Sequence, residues 1–416
     1  MKVTTQYRRG SYFKVTFPDF PSITIHPQYI KIFQEKGKHD ILEITCGVID
    51  PFYEKTLKTG VPVFVKYTNG KINGSFAGYV YDVTLTTHSS NVRDTVIRCI
   101  SAGFVLKKAT TKVWNKKTAS QIVQDICKEE KLKAVVTPHK QVFSQQYTSG
   151  QTRWEKIQEL AQRIGYVAQV VGVEVHFHPI DKMIDSFLTS VPVLSFFEEF
   201  YTAFETTVGQ TLDYFKPTIG AMNEASHHTK KDKTISGIDI VTGKPYSYTS
   251  KTNFVGKKLR SKVEDSIFEE VIHSRVTEDV KEAKLMAEGL SDLSRFPVHA
   301  EGQAQGDPRI SPYRTIEIQG TREATDGYWI VTKAVHTITH DGRYNVAFNC
   351  VTDGRGINQG SSSRNSSANV VPVRNITAET AGGIPTIPSS ASITLQQQVL
   401  TQSSTGFSAL SRRWIS

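Results

Sequence analysis

Apolar and polar residues alternate with a period of two over much of residues 1–108. Phe13-Lys14-Val15-Thr16-Phe17, Val61-Pro62-Val63-Phe64-Val65-Lys66-Tyr67, Phe76-Ala77-Gly78-Tyr79-Val80-Tyr81-Asp82-Val83 and Thr95-Val96-Ile97-Arg98-Cys99-Ile100 carry this pattern, and Ile41-Leu42-Glu43-Ile44-Thr45-Cys46 carries it in part. Alternation of this kind predicts strands with one buried face. Asn69-Gly70, inside Thr68–Lys71, offers the positive φ angles of a tight hairpin. No long helix-period stretch interrupts the block, so residues 1–108 predict an antiparallel β-barrel or sandwich.

The period changes near Lys107. Thr118-Ala119-Ser120-Gln121 and Thr152-Arg153-Trp154-Glu155 are capping boxes, and each opens a helix. Ala119, Ile122, Val123, Ile126 and Cys127 fall on one face of the first helix. Trp154, Ile157, Leu160, Ala161 and Ile164 fall on one face of the second, and Gly165 stands where a left-handed cap would end it. Tyr166, Ala168 and Val170 then alternate up to Gly172, and Val173, Val175 and Phe177 alternate after it, predicting a hairpin. Residues 109–180 therefore predict a small α/β unit.

Within residues 181–356, Ile235–Tyr246 predicts strand, turn and strand. The aromatic group Phe196, Phe197, Phe200, Tyr201 and Phe204 is expected in a core or subunit interface. Thr277-Glu278-Asp279 opens a helix to about Leu293, with acids where the dipole favours them and Val280, Ala283, Ala287 and Leu290 on its inner face. Strands return at Arg314–Ile318, Tyr328–Thr332, Ala334–Ile338 and Tyr344–Phe348. The fold class is therefore α+β, mainly β. Residues 357–416 contain no Lys and a single acid, Glu379, amid Ser, Thr, Asn and Gln. A stretch this polar cannot bury enough apolar surface to order by itself, and is expected to be a linker or an arm that orders on a partner. Phe407, Leu410 and Trp414, spaced i, i+3, i+7 beside Arg412 and Arg413, would form one face of a short helix and are the candidate partner-binding residues.

A chain of 416 residues exceeds one ordinary core, which implies several domains. No apolar run is long enough to span a bilayer, and the N-terminus Met1–Arg9 is not expected to be a secretory signal. The four cysteines, Cys46, Cys99, Cys127 and Cys350, lie too far apart for a CxxC site and are expected to be reduced, buried thiols. The net charge of +10 favours acidic partners or nucleic acid. Lys107, Lys108, Lys112, Lys116 and Lys117, with Trp114 among them, could be a solvated face, a nucleic-acid contact or a contact with an acidic protein. His176 and His178 share one strand face near Asp181, but no third metal ligand is indicated, so no metal is expected. His227-His228 beside Lys230-Lys231 reads as a solvated loop. Glu198-Glu199 could suggest a glycosidase acid, yet adjacent carboxylates cannot flank one bond. No GxSxG, HExxH, Walker or Rossmann fingerprint occurs, so neither a catalytic residue nor a cofactor is assigned.

The order of these pieces resembles the baseplate hub family of phage tails, including the late-control D proteins and the hub region of type VI secretion spike proteins. Three stretches carry the resemblance. The first is Trp114-x-x-Lys117-Thr118-x-x-x-Ile122-Val123-x-x-Ile126. The second is Gln151-Thr152-Arg153-Trp154 leading to Leu160-Ala161-x-Arg163-x-Gly165-Tyr166. The third is helix 277–293, then Gly302, Gly306-Asp307-Pro308-Arg309-Ile310-Ser311-Pro312, then the strands Ile316–Ile318, Tyr328–Val331 and Val335–Ile338. Where the family's turn has a second glycine this chain has Tyr313, which is expected to avoid positive φ and so to alter the turn. The resemblance spans about residues 1–356.

The resemblance implies a non-enzymatic homotrimer in the virion tail, made in the host cytoplasm. Each chain would hold two tube-like β-domains, residues 1–108 and 181–356. Residues 109–180 would be an outer insertion and 357–416 a C-terminal arm. Three chains would present six similar units, joining a sixfold tail tube to a threefold central spike around a lumen for DNA and the tape-measure protein. Baseplate wedge components are further partners it implies. The alternatives from other classes are a tail-associated peptidoglycan hydrolase and a nucleic-acid-binding protein. DNA passing through a lumen would be retained by a cationic wall, so the lysines are expected on outer faces or partner interfaces.

Overall fold

The computed structural model describes residues 11–87, 93–185, 191–195, 211–218, 233–238, 243–249, 270–273, 280–293, 296, 298–321 and 325–352. The aromatic group 196–204, Glu198-Glu199, His227-His228, the helix opening 277–279 and the arm with Phe407, Leu410 and Trp414 lie outside them.

The predicted alternation becomes strands β1 (Tyr12–Thr16), β3 (Ile41–Cys46), β4 (Pro62–Thr68), β5 (Asn73–Thr87) and β6 (Arg93–Ser101), and β2 (Pro27–Glu35), which was not predicted, precedes β3. A short helix, α1 (Pro51–Thr56), and a 3-10 turn at Ala102–Lys107 interrupt the block. The middle of the chain forms β7 (Lys112–Thr118), α2 (Ala119–Glu129), β8 (Lys133–Val136), β9 (Val142–Thr148), α3 (Arg153–Arg163), β10 (Tyr166–Val171), β11 (Glu174–Pro179) and α4 (Ile180–Asp185). Next come β12 (Val193–Ser195), β13 (Leu212–Thr218), β14 (Lys233–Ile238), β15 (Pro245–Thr249) and β16 (Glu270–His273). Helix α5 (Val280–Leu293) precedes β17 (Val298–Gln305), β18 (Thr315–Gln319), β19 (Gly327–Thr339) and β20 (Tyr344–Thr352).

Among the described residues the largest sheet has 12 strands. Its order is β1-β4-β5-β6-β3-β2-β19-β20-β17-β13, with β18 on β19 and β12 on β18, and it curls as a half-barrel. The seam is β2 against β19, antiparallel, with Ile30 opposite Ile338 and Ile32 opposite His336. Strands from near the two ends of the described chain thus share one hydrogen-bonded sheet. Their inward residues, among them Ile30, Ile32, Leu42, Ile44, Trp329 and Val346, form one continuous buried cluster. Alternation makes this possible, because every second side chain on each strand faces the same layer.

Residues from Leu106 to Phe177 form a second cluster, in which Trp114 and Phe143 meet Ile122, Val123, Ile126, Ile157 and Leu160. Both capping boxes form: Thr118 Oγ1 accepts from the Gln121 amide and Thr152 Oγ1 from the Glu155 amide, and each N3 side chain accepts the cap's own N–H. Gly165 adopts φ +71°, as the helix stop requires. The predicted hairpin is β10–β11, turning at Gly172 with φ +60°, and β8 joins β11 in parallel. The Ile235–Tyr246 hairpin is β14–β15, with β16 beside β14, and α5 buries Ala283, Met286 and Ala287 against Ile235.

Two local expectations are corrected. The Asn69-Gly70 turn is not a two-residue hairpin: only Gly70 has positive φ, +86°, and the strands rejoin at Thr68 opposite Asn73. Asn69 Oδ1 instead accepts from the amides of Lys71 and Ile72, because a short amide side chain can stand in for a backbone acceptor. Tyr313 does adopt positive φ, +64°. Its ring is buried with Val167, Ile330 and Val351, and its N–H donates to Val331 O at 2.9 Å. That burial and hydrogen bond hold the residue in a conformation its Cβ disfavours.

Candidate functional site

The glycines of the third motif are explained by aromatic neighbours. A Cβ on Gly302 would lie 2.7 Å from the Phe348 ring, and one on Gly306 would lie 1.9 Å from the Tyr344 ring. Gly306 N–H also donates to Tyr344 O at 2.7 Å. The backbone of β17 and its exit loop therefore lie flat on β20 rings, which only glycine allows. Asp307 then accepts from the Arg309 amide at 2.8 Å and from its guanidinium, fixing the turn.

Tyr344 begins a buried polar relay across the sheet seam. Tyr344 Oη lies 2.8 Å from His336 Nδ1, and His336 Nε2 lies 3.2 Å from Gln34 Oε1. Gln34 Nε2 donates to Asp40 Oδ2 at 2.9 Å. Since the Gln34 amide donates to Asp40, its oxygen faces His336. This assigns the imidazole proton to Nε2 and makes Nδ1 the acceptor for the tyrosine hydroxyl. Burial lowers the His336 pKa to about 4, so the ring is neutral. Burial raises Asp40 to about 7, against a smaller opposing effect of Gln34. Beside it, His39 lies 5.2 Å from the Trp154 ring of α3, and burial lowers its pKa to about 4. The relay ties β20 and β19 to the β2–β3 turn, and His39 carries the contact to the α/β unit.

A second junction joins α3 to α5. The Arg163 guanidinium is ion-paired with Glu282, which is fully buried, and donates to Gln146 Oε1 at 2.9 Å. Lys156, also buried, donates to the same Gln146 oxygen at 3.0 Å and to Glu159 at 2.9 Å. A Cβ on Gly289 would lie 2.1 Å from Gly165 Cα, so the helix meets the α3 stop backbone to backbone. A cleft of about 240 Å³ opens there, lined by Gly37, Ala161, Gly165, Tyr166, Gly289 and Tyr313.

His176 and His178 do share one strand, their rings 5.8 Å apart. His178 Nδ1 lies 2.8 Å from Thr137 Oγ1 and His176 Nε2 lies 3.4 Å from Glu174. Burial lowers the pKa of both, His178 to about 4. Within the basic run, Trp114 is buried, Lys112 is paired with Glu129 and Lys117 with Asp125. All four cysteines are free and buried, and burial pushes the Cys46 and Cys127 thiols up to about 12, so they are not thiolate nucleophiles. Sequence reasoning missed the relay and the Arg163–Glu282 pair. Gln34, Asp40, Arg163 and Glu282 stand apart in sequence, and only their positions on inward faces could have marked them.

A curled mainly-β sheet joined across β2–β19, with a capped α/β unit beside it, defines the fold class: that of phage tail and type VI secretion spike-related proteins. The 43 kDa tail protein of prophage MuSo2 from Shewanella oneidensis is 13% identical with a TM-score of 0.57, covering 83% of this chain and 98% of its own. The tail protein from Neisseria meningitidis MC58 is 11% identical with a TM-score of 0.58, covering 84% and 98%. The E. coli c3393 protein is described as a type VI secretion component with structural similarity to T4 tail proteins gp27 and gp5. It is 9% identical with a TM-score of 0.50, covering 83% and 78%. No family model matches the chain, and no curated protein matches it in sequence. The likeness is one of fold, and it is the likeness that the ordered motifs carried.

Proposed function

We propose that the chain is a structural hub of a phage or phage-derived tail: a homotrimer that adapts a sixfold tail tube to a threefold spike, without catalysis. The observation that carries the reading is the fold likeness, which spans 98% of each of two tail proteins, one of them from a prophage. The large sheet supports it. Six of its strands come from residues 1–108 and six from residues after 181, the composition expected of two tube-like β-domains. Three copies would then offer six units to the tube, and a heterologous contact that closes after three copies makes a ring rather than a fibre. Residues 109–180 would stand outside that ring, and the arm ending in Phe407, Leu410 and Trp414 would anchor a neighbouring tail component. DNA and tape-measure protein would pass through the lumen, and the protein would reside in the virion tail.

Light scattering on the purified chain tests this: the expected mass is three times 46.5 kDa. A reconstruction of the particle should place the six β units around one pore. A strictly monomeric species in assembled particles would overturn the reading.

A further inference from the structure

Strands β7 and β9 form a two-stranded ribbon of their own, with Val113 opposite Tyr147 and Asn115 opposite Gln145. One face is core, since Trp114 and Phe143 are 3% and 1% exposed. The other face is open: Val113 is 52% exposed, Val142 57% and Tyr147 65%. Tyr147 and Val113 form one exposed apolar pair across the two strands, and Val142 stands exposed at the other end of the same face.

The charge around the ribbon is one-sided. Residues 107–180 hold twelve Lys and Arg against six Asp and Glu, so a sixth of the chain carries more than half of its net +10. Within 107–140 the only acids are Asp125, Glu129 and Glu130. All three are already held, by Lys117, by Lys112 and Arg153, and by Arg153. Lys108, Lys116 and Lys140 are exposed and have no carboxylate partner among the described residues. Lys116 stands within β7, at φ +50°. Lys108 stands at one end of the ribbon, where Ala109 bridges Thr152, and Lys140 just ahead of β9 at the other.

We propose that this outer face is a docking site for an acidic protein partner, with the Val113–Tyr147 pair near one end and Val142 at the other as its apolar contacts, Lys116 between them and Lys108 and Lys140 at the two ends. Apolar contacts set among unpaired charges suit a protein interface, and the charges steer encounter. Every cation of residues 107–140 is lysine, a point charge, rather than the forked arginine that reads phosphates and bases best. The same charge disfavours a second copy of this chain as the occupant. Nothing in this depends on the hub assembly.

Fluorescence anisotropy with the full chain tests the site. The probes are labelled poly-glutamate, a glutamate–tyrosine copolymer and a short double-stranded DNA, each at low and high salt. The copolymer should bind more tightly than poly-glutamate, and more tightly than the DNA, and its affinity should fall with salt. Tyr147→Ser and, separately, Val142→Ser should each weaken the copolymer about tenfold, as expected for losing an apolar contact of the interface. Lys108→Glu with Lys116→Glu and Lys140→Glu should weaken all acidic probes. Lys14→Glu with Lys58→Glu and Lys71→Glu, an equal charge change at exposed sites on β1 and in the loops that flank β4, should leave the copolymer's affinity unchanged. Tightest binding of the DNA, equal weakening by the two triple variants, self-association through this face, or no effect of both single serine variants would each overturn the proposal.

Discussion

Asp40 shows what burial does to a single carboxyl. Its pKa is raised to about 7 because ionising it means placing charge in the core, and the one hydrogen bond from Gln34 offsets only part of that. The folded chain therefore holds this proton up to about pH 7, whereas an unfolded aspartate releases it near pH 4. Between those values the folded state binds more protons, so this group's contribution to stability falls as pH rises. His336 and His39 act in the opposite sense: their lowered pKa values mean that stability is lost as pH falls from about 6.5 to about 4. Asp40→Asn removes one slope and leaves the other. The variant should match the wild type in urea midpoint below about pH 4 and exceed it above about pH 7, by an amount that grows across the window between. A difference that stays flat with pH would refute this. Tyr313 poses a second contest at this scale. Tyr313→Gly relieves about 1 kcal/mol of left-handed strain but deletes a buried ring worth about 3 kcal/mol, so urea unfolding should show a net loss of roughly 2 kcal/mol. Asp40 did not announce itself in the sequence. Tyr313 was singled out there and its φ expected with the wrong sign, because local sterics were weighed without the ring's burial.

Helix α5 shows the same conflict at the scale of an element. Alanine is the better helix former than glycine by about 1 kcal/mol, so propensity alone says that Gly289→Ala stabilises α5. The backbone contact with Gly165 says the reverse, since the added methyl would overlap Gly165 Cα. Contact wins, because a rigid backbone cannot move aside as a side chain can. Hydrogen exchange should therefore quicken across 280–293 in Gly289→Ala while α2 stays protected. Glu282→Gln should do the same by removing the buried counter-charge of Arg163 and leaving it only Glu159, at 3.6 Å, so the junction should lose less than the roughly 3–5 kcal/mol of a fully uncompensated buried charge. The capping boxes are simpler. Thr118→Ala and Thr152→Ala should each cost about 1 kcal/mol by chemical denaturation, because each strips one orphan amide of its acceptor. These helices were legible beforehand because a cap and a 3.6-residue stripe are local signals. Strand β2 was not, although Ile30 and Ile32 alternate within it, because its partners lie at β3 and, far along the chain, at β19.

For the whole molecule, the decisive feature is the seam that joins residues 27–35 to residues 327–339. Everything described lies within the unit Met1–Ser362, so truncation after Gly356 should leave the thermal midpoint unchanged. Assembly into particles should be lost if Phe407, Leu410 and Trp414 anchor a partner, and assembly by the truncated chain would remove that role. The sequence by itself determined the strand-rich blocks, both capped helices, the hairpin at Gly172 and the ordered motifs that pointed to a tail hub. Each is written in neighbours a few residues apart, where period, cap and turn chemistry act. Only the tertiary structure decided that the β blocks share one sheet, that Asp40, Gln34, His336 and Tyr344 form one relay, and that Gly165 meets Gly289. Those pairings join residues whose separation in sequence carries no energy, and burial in a common core is what selects them.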